Sequence, residues 1–547
     1  MICILHGYLL DGSGSNLWTQ SIIRTLCRAG QTVHLMCQEP HPEKFDYIAR
    51  ATRYDEQLNP TTLFQREVPY PGLCVMHKPK LGEVLPVYVW DKYEEFDKVV
   101  PMVELDDATI EDYIQRNVKL LQLLVEQEGI TAMHVNHAVL MSVVAQRVAQ
   151  QHGIPFTIMP HGSAIEYAVK KDPRFHALAA QAFEKAGRIF VIGPEIRGRV
   201  TDVFHRVPGL QDKLTDLNLG VDTSLFEPIE PAQRPQNVRN LSEALEGVER
   251  GKSPEQTRAM RHRLSDGMTR DTLRKVLTQA SDYTAKHTDT DCEAKLAQVD
   301  WERGQTLLFV GRLIASKGIH GVLAALPSIL QQRPNTRLVV VGHGPLREPL
   351  EAMLWALDTG SRELLHNILA WGRYLEGAQQ PEPLQHVQRF LDGLEQRGEL
   401  DAYFETARRV HISERVIFTG YLTHRELRFL FPCCDVAIFP SIVAEAGPLV
   451  FLEAMASGVF PMGIYFAGMA ASIDSVSEVV PPDVVELMKL RKEPEHMVAD
   501  MVQDAVGALN IGRRHAADLR RVAVERYDWT AVGARLHTTL EQLKSRS

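Results

Sequence analysis

Short apolar runs alternate with helix-length amphipathic stretches along the first part of the chain, the rhythm of a parallel sheet whose strands are covered on both faces. MICILHG, TVHLMCQ, AMHV, FTIMPHG and RIFVIG read as successive buried strands, with helices over residues 137–152 and 173–187 between the last three. This predicts a doubly wound α/β domain. The rhythm stops near NLGVDTSLFEP, and residues 229–300, polar and rich in Arg, Glu, Gln and Thr, predict helix without a strong apolar run. A second α/β series follows: TLLFVGRL, RLVVVGHG, RVIFTGYL, DVAIFPS and GVFPMGI. Each of its strands ends in Gly, Pro or Ser, where a loop can approach a ligand closely at the carboxyl edge of a sheet. Helical sequence from 354 to about 410 interrupts this series. The expected organisation is a Rossmann-like acceptor-side domain over 1–228, a helical insertion or linker over 229–300, a Rossmann-like donor domain over 301–525, and a C-terminal helix over 526–547 that packs back on the first domain.

Composition narrows the function. A chain of 547 residues with 45% hydrophobic and 24% charged residues affords two globular cores. A net charge of -9, with no cluster of Lys and Arg, argues against nucleic acid as the partner. The seven cysteines show no zinc-ligand spacing and fit reduced thiols in a cytoplasmic protein. The apolar start lacks the basic flank of a signal peptide and reads as a buried strand. No apolar run reaches the roughly 20 residues needed to cross a bilayer, and no basic amphipathic segment suggests membrane docking, so a soluble acceptor is expected.

The strongest chemical signal is EAGPLVFLEAMASG, residues 445–458, directly after the strand DVAIFPS. It predicts a helix starting near Pro448, whose N-terminus, around Gly447 to Val450, offers backbone N–H groups to oxygens. Glu445 precedes the helix and Glu453 lies along it, so the two carboxylates can meet different parts of an extended ligand. Read alone, they could equally be a helix-start charge and a solvated helix residue. GRLIASKG, residues 311–318, puts Arg312 and Lys317 in one Gly-bounded loop after a buried strand, where two cations can jointly neutralise a diphosphate.

Taken in order, GSGSNLWTQSIIRTLCRAGQTV, PHGS, NLGVDTSLF, VGRLIASKG, VVGHGPLREPLE, FTGYL and FPSIVAEAGPLVFLEAMASG resemble the retaining GT-B glycosyltransferases, the family that includes sucrose-phosphate synthases, bacterial glycogen synthases and phosphatidylinositol mannosyltransferases. The resemblance spans both α/β series and leaves out the helical insertions. It implies two Rossmann-like domains facing each other across a cleft, and transfer of a hexose from a nucleotide-diphosphate sugar to an acceptor hydroxyl with retention and without a metal or other cofactor. It implies Arg312 and Lys317 on the diphosphate, Glu445 with the backbone of Gly447, Pro448 and Leu449 on the hexose, and Glu453 on the ribose. Ser13-Gly14 stands where the family has two glycines near the diphosphate, and Gly14 is assigned to the donor. His343 stands where the family often has Asp, in a GDGP turn beside the base. The family's later Gly-Gly…Glu segment appears only as YFAGMAASI, without the Glu, a departure at the far wall of the donor site.

His161 of PHGS ends a buried strand. As a lone histidine it reads as a core residue capping its loop; the resemblance places it beside the reacting sugar. On the acceptor side the chain offers Asn136 and His137 of HVNH, and Tyr88 and Asp91 of LPVYVWDKYEEF, with Trp90 and Tyr93 read as loop packing. The alternatives are a GT-B sugar-nucleotide epimerase, a glycogen-phosphorylase-like protein, or a catalytically silent nucleotide-sugar-binding or scaffolding protein. For the last, the insertions would be the working surface. They could also join copies of the chain into a homo-oligomer. None of the donor motifs lies in 229–300, so that segment is expected to be dispensable for donor binding.

Overall fold

The computed structural model describes residues 1–10, 14–88, 96, 98–279, 286–445 and 447–545. The chain divides into two compact units, Met1–Gly220 with Arg526–Ser547, and Val221–Glu525.

The first unit is built on a nine-stranded sheet whose spatial order is Leu214–Asp216, Arg188–Val191, Phe156–Met159, Ala132–Asn136, Ile2–Leu5, Thr32–Met36, Leu73–Pro79, Ile48–Tyr54 and Pro60–Gln65. All neighbours pair in parallel except the last two strands, an antiparallel edge hairpin. The apolar runs became the buried middle of the sheet; Ile2, Cys3, Ile4 and Leu5 are all buried. The hairpin has no apolar run: Arg50 and Arg53 interrupt one strand, and the other, PTTLFQ, is almost wholly exposed. The helix Ser15–Arg28 buries Trp18, Ile22 and Leu26, one residue per turn on one face. The helix Trp529–Lys544, capped by Asp528 accepting from the Thr530 N–H at 2.7 Å, packs against it, with Gly533 beside Thr25.

The second unit holds a six-stranded parallel sheet ordered Val416–Gly420, Thr336–Val341, Gln305–Val310, Val436–Phe439, Phe460–Ile464 and Lys489–Leu490. The chain starts in the middle, runs outward to one edge, then returns to the other side of its first strand. The order therefore reverses between Gln305–Val310 and Val436–Phe439, and the loops leaving these two strands flank a topological switch point, where open α/β sheets bind ligands.

The polar segment after residue 229 forms the helices Arg234–Ala244, Pro254–Arg261, Arg270–Gln279 and Cys292–Leu296. It also closes an open sheet edge: the Asp289 N–H donates to Thr419 O at 2.8 Å and the Tyr421 N–H to His287 O at 3.0 Å, so residues 287–289 run along the end of the edge strand Val416–Gly420. The second helical segment comprises Arg347–Thr359, Arg362–Trp371, Gln385–Gln396 and Leu400–Arg409. Among the described residues no helix is long and apolar enough to cross a membrane, and all seven cysteines are buried free thiols.

Candidate functional site

At the switch point of the second unit the loops 311–317 and 440–448 are tied together. The Ile442 N–H donates to Ser316 O at 2.9 Å. Gly318, with φ 69°, lies so close to Pro440 that a Cβ would overlap the Pro440 carbonyl oxygen, so only glycine permits this approach. Lys317 and Glu445, 128 positions apart, consequently meet at 2.5 Å between Nζ and Oε1. Arg312 is exposed and its guanidinium has no partner among the described residues. One loop thus presents two cations, of which Lys317 is paired with Glu445.

The helix Leu449–Ala456 begins at Pro448, whose extended backbone forms the N-cap, beside half-buried Gly447. Glu453 lies well inside this helix and is buried; its Oε1 meets His424 Nε2 at 3.0 Å while its Oε2 is buried without a hydrogen-bond partner among the described residues. The Glu453 charge, outweighing burial, raises the His424 pKa, so the ring tends toward imidazolium. A buried carboxylate oxygen without a donor is a built acceptor for a hydroxyl.

The GHG turn, 342–344, lies against the Arg312 loop: the Leu313 N–H donates to His343 O at 2.8 Å, and a Cβ at Gly342 would overlap Gly311 O. The His343 ring stands edge-on to Tyr421, 5.3 Å between centroids, and burial with Lys286 and Arg312 nearby lowers its pKa. Arg312, His343 and the backbone of Gly342, Gly344 and Gly420 line a cavity of about 380 Å³. Its remaining wall draws on 229–300, the segment expected to be dispensable for donor binding. Arg274, Leu277, Thr278, His287 and Asp289 of that segment line the cavity, as do Leu375, Glu376 and Gly377 of the second helical segment.

In the first unit, Asn136, His137 and His161 gather at the carboxyl ends of neighbouring strands. Asn136 Oδ1 accepts from His161 Nε2 at 3.0 Å, and Asn136 Nδ2 donates to Thr19 Oγ1 at 2.9 Å and toward His6 Nδ1 at 3.4 Å. With Nε2 carrying the proton, Nδ1 of His161 is the acceptor nitrogen. Burial pushes its pKa down to about 3 and that of His6 down to about 4, so both rings are neutral and weakly basic. His161 is therefore suited to accept a hydrogen bond rather than to take a proton.

Asn136 and His137, expected on the acceptor side, are both buried: the Asn136 amide is committed to His161 and Thr19, and the His137 ring packs 5.0 Å from His161 and from Tyr88. The Tyr88 phenol donates to Val139 O, which makes it part of this packing too. Asp91, Trp90, Tyr93 and Ser13 lie outside the described residues. Gly14, with φ 59°, is the N-cap of the helix Ser15–Arg28.

The pattern of residues left three participants unnoticed. His6 had a signal: His-Gly follows a buried strand at 6–7 just as it does at 161–162. His424 and Glu376 had none, since each acts on a partner far away in sequence.

Residues 293–364 and 393–474 match the family model "Glycosyl transferases group 1". Those two segments, both in the second unit, are similar to the group 1 glycosyl transferases. The glycogen synthase of Mycobacterium tuberculosis is 25% identical over 229 residues, 41% of this chain and 40% of the relative. Matches to the first curated relatives span 40–41% of their length. The sucrose-phosphate synthase of Thermosynechococcus elongatus superposes with a TM-score of 0.53 at 15% identity, over 100% of both chains. Anabaena HepE in complex with UDP superposes with a TM-score of 0.52 at 13% identity, over 99% of both. The fold is the GT-B fold, with a Rossmann-like sheet in each unit. The family match begins at 293 and breaks over 365–392, leaving out most of the first helical segment and the middle of the second.

Proposed function

We propose that the chain is a retaining, metal-independent glycosyltransferase that moves a hexose from a nucleoside-diphosphate sugar to the hydroxyl of a soluble acceptor. The observation that carries this reading is the Arg312 and Lys317 loop held against Glu445 at the switch point. In the reaction the bond between the anomeric carbon and the phosphate oxygen breaks, the acceptor oxygen bonds to that carbon on the same face, and the acceptor proton passes to the departing phosphate oxygen. Charge then grows on the diphosphate, and Arg312 and Lys317 are placed to neutralise it, the role a divalent ion serves elsewhere. Glu445 and the backbone of Gly447 to Leu449 are assigned to the hexose, the unpartnered Oε2 of Glu453 to the ribose, and Nδ1 of His161 to a sugar hydroxyl. The half-buried His343 is assigned to the base side of the cavity. The HepE complex makes UDP the first nucleotide to test, with GDP and ADP beside it.

Incubation with UDP-, GDP- and ADP-hexoses in EDTA is expected to release nucleoside diphosphate, with a product that keeps the donor's anomeric configuration by NMR. An inverted product, or activity that EDTA abolishes and Mn²⁺ restores, overturns the corresponding part of the proposal. No turnover and no binding with any of the three rejects the donor class.

The two glutamates should separate. Glu445→Ala is expected to cut turnover with little change in nucleotide affinity, because contacts that strengthen toward the transition state appear in the rate. Glu453→Ala removes a hydroxyl acceptor and should weaken the free nucleoside diphosphate by about 1.5–3 kcal/mol. Calorimetry with UDP, GDP and ADP decides: equal loss in both variants, or loss confined to Glu445→Ala, rejects this division.

A further inference from the structure

The helical segment before residue 293 and the stretch 365–392, both left out by the family match, meet beside the cavity. The helix Arg270–Gln279 grips Tyr374 at three places: Asp271 Oδ1 accepts from the phenol at 2.8 Å, and the guanidinium carbons of Arg270 and Arg274, one turn apart, lie 4.7 and 4.2 Å from the ring centre. A second tie runs from the Gly267 N–H to Glu363 Oε1 at 2.9 Å. Two residues beyond Tyr374, the Glu376 carboxylate, its side chain 14% exposed, accepts from the Ala315 N–H through both oxygens at 3.4 Å, with Arg373 Nε 3.6 Å away. Ala315 sits between Arg312 and Lys317. A continuous path therefore runs from the first helical segment through Tyr374 and Glu376 to the loop that carries both cations.

We propose that Glu376 is a positioning residue: through the Ala315 N–H it fixes the Arg312–Lys317 loop in the geometry that grips a diphosphate, and Tyr374, clasped by the first helical segment, sets Glu376. This rests on the nucleotide-sugar reading above. A loop held before the ligand arrives loses less freedom on binding, so the anchor raises affinity without touching the ligand. What matters at position 376 is an acceptor oxygen. Its negative charge by itself would oppose an incoming diphosphate.

Calorimetry on the full chain with UDP, GDP and ADP tests this, read with whichever of them the wild type binds. Glu376→Ala is expected to weaken binding about tenfold, the loss of one hydrogen bond to a charged group. Glu376→Gln keeps the acceptor oxygen and should stay within about threefold of wild type. Tyr374→Ala should weaken binding as Glu376→Ala does, and the double variant should lose no more than either alone, because both act through one anchor. If Glu376→Ala does not fold, Tyr374→Phe, which removes only the O–H to Asp271, should still weaken binding by about threefold. Wild-type affinity in Glu376→Ala overturns the proposal, as do tighter binding in both Glu376 variants, equal weakening in both, or additive losses in the double variant. A wild type that binds none of the three nucleotides rejects the nucleotide-sugar reading instead, and with it this inference.

Discussion

Arg312→Ala and Lys317→Ala are each expected to lower turnover by about two or more orders of magnitude, the usual consequence of removing a group that stabilises developing charge in a closed site. The fold should survive in both. Arg312 is exposed and its side chain makes no hydrogen bond or ion pair among the described residues, so its removal breaks neither. Lys317 differs, because its ammonium is the partner of Glu445, whose side chain is only 22% exposed. Lys317→Ala therefore strips the diphosphate of a cation and frees the carboxylate assigned to the hexose, whereas Arg312→Ala removes a cation alone. This makes Lys317→Ala the more severe of the two. It also makes the Lys317→Ala/Glu445→Gln pair less than additive, since the residues are in contact. Single-turnover rates with the cognate donor, with thermal melts to show that each variant is folded, decide the matter. A folded variant of either residue that turns over at the wild-type rate removes the diphosphate assignment.

The ten strands read from apolar runs are present because such runs, ended by Gly, Pro or Ser, have few uses in a soluble chain other than buried parallel strands. The hairpin Ile48–Gln65 escaped that reading since Arg50 and Arg53 interrupt its inner strand; Arg50 lies there in an ion pair with Glu128 at 2.9 Å. For the candidate site, motif spacing singled out Arg312, Lys317, Glu445 and Glu453, but their grouping depends on strand order. Lys317 meets Glu445 only because the sheet returns to the far side of its first strand, a fact that no local pattern carries. The polar segment from 229 was the hardest to read. Charged residues are almost never fully buried unless paired, and its Lys252 and Asp289 are buried by partners near residue 350 that a local reading cannot supply.

That burial carries the second large effect. Lys252 Nζ lies against Glu348 and 3.1 Å from Glu351 Oε1, with its side chain only 1% exposed. Arg347, equally enclosed, reaches Asp289 at 2.7 Å and Glu351 at 2.9 Å. Burial pushes the Glu348 carboxyl up toward its neutral form against the pull of Lys252. Burial would raise Glu351 as well, but Lys252 and Arg347 overcome it and hold that carboxyl well below the ordinary range. With Glu348 neutral, Lys252 and Arg347 face Glu351, and Arg347 shares Asp289 with Lys295, whose Nζ lies 3.0 Å from Asp289 Oδ2. Lys252→Met removes one of the two cations that face Glu351 and leaves that buried carboxylate undercompensated, which is expected to cost about 3–5 kcal/mol of stability. Lys252→Met/Glu351→Gln restores the balance and should recover a large part of that loss, because what destabilises is the unpaired charge rather than the missing ammonium. Deleting 229–300 removes Lys252 and Asp289 together and exposes the same partners, so it should unfold the second unit rather than spare nucleotide binding. Urea denaturation of the two point variants is the measurement. A loss below about 1 kcal/mol in Lys252→Met, the range of a surface ion pair, or no recovery in the double variant, would show that the cluster is not balanced in this way.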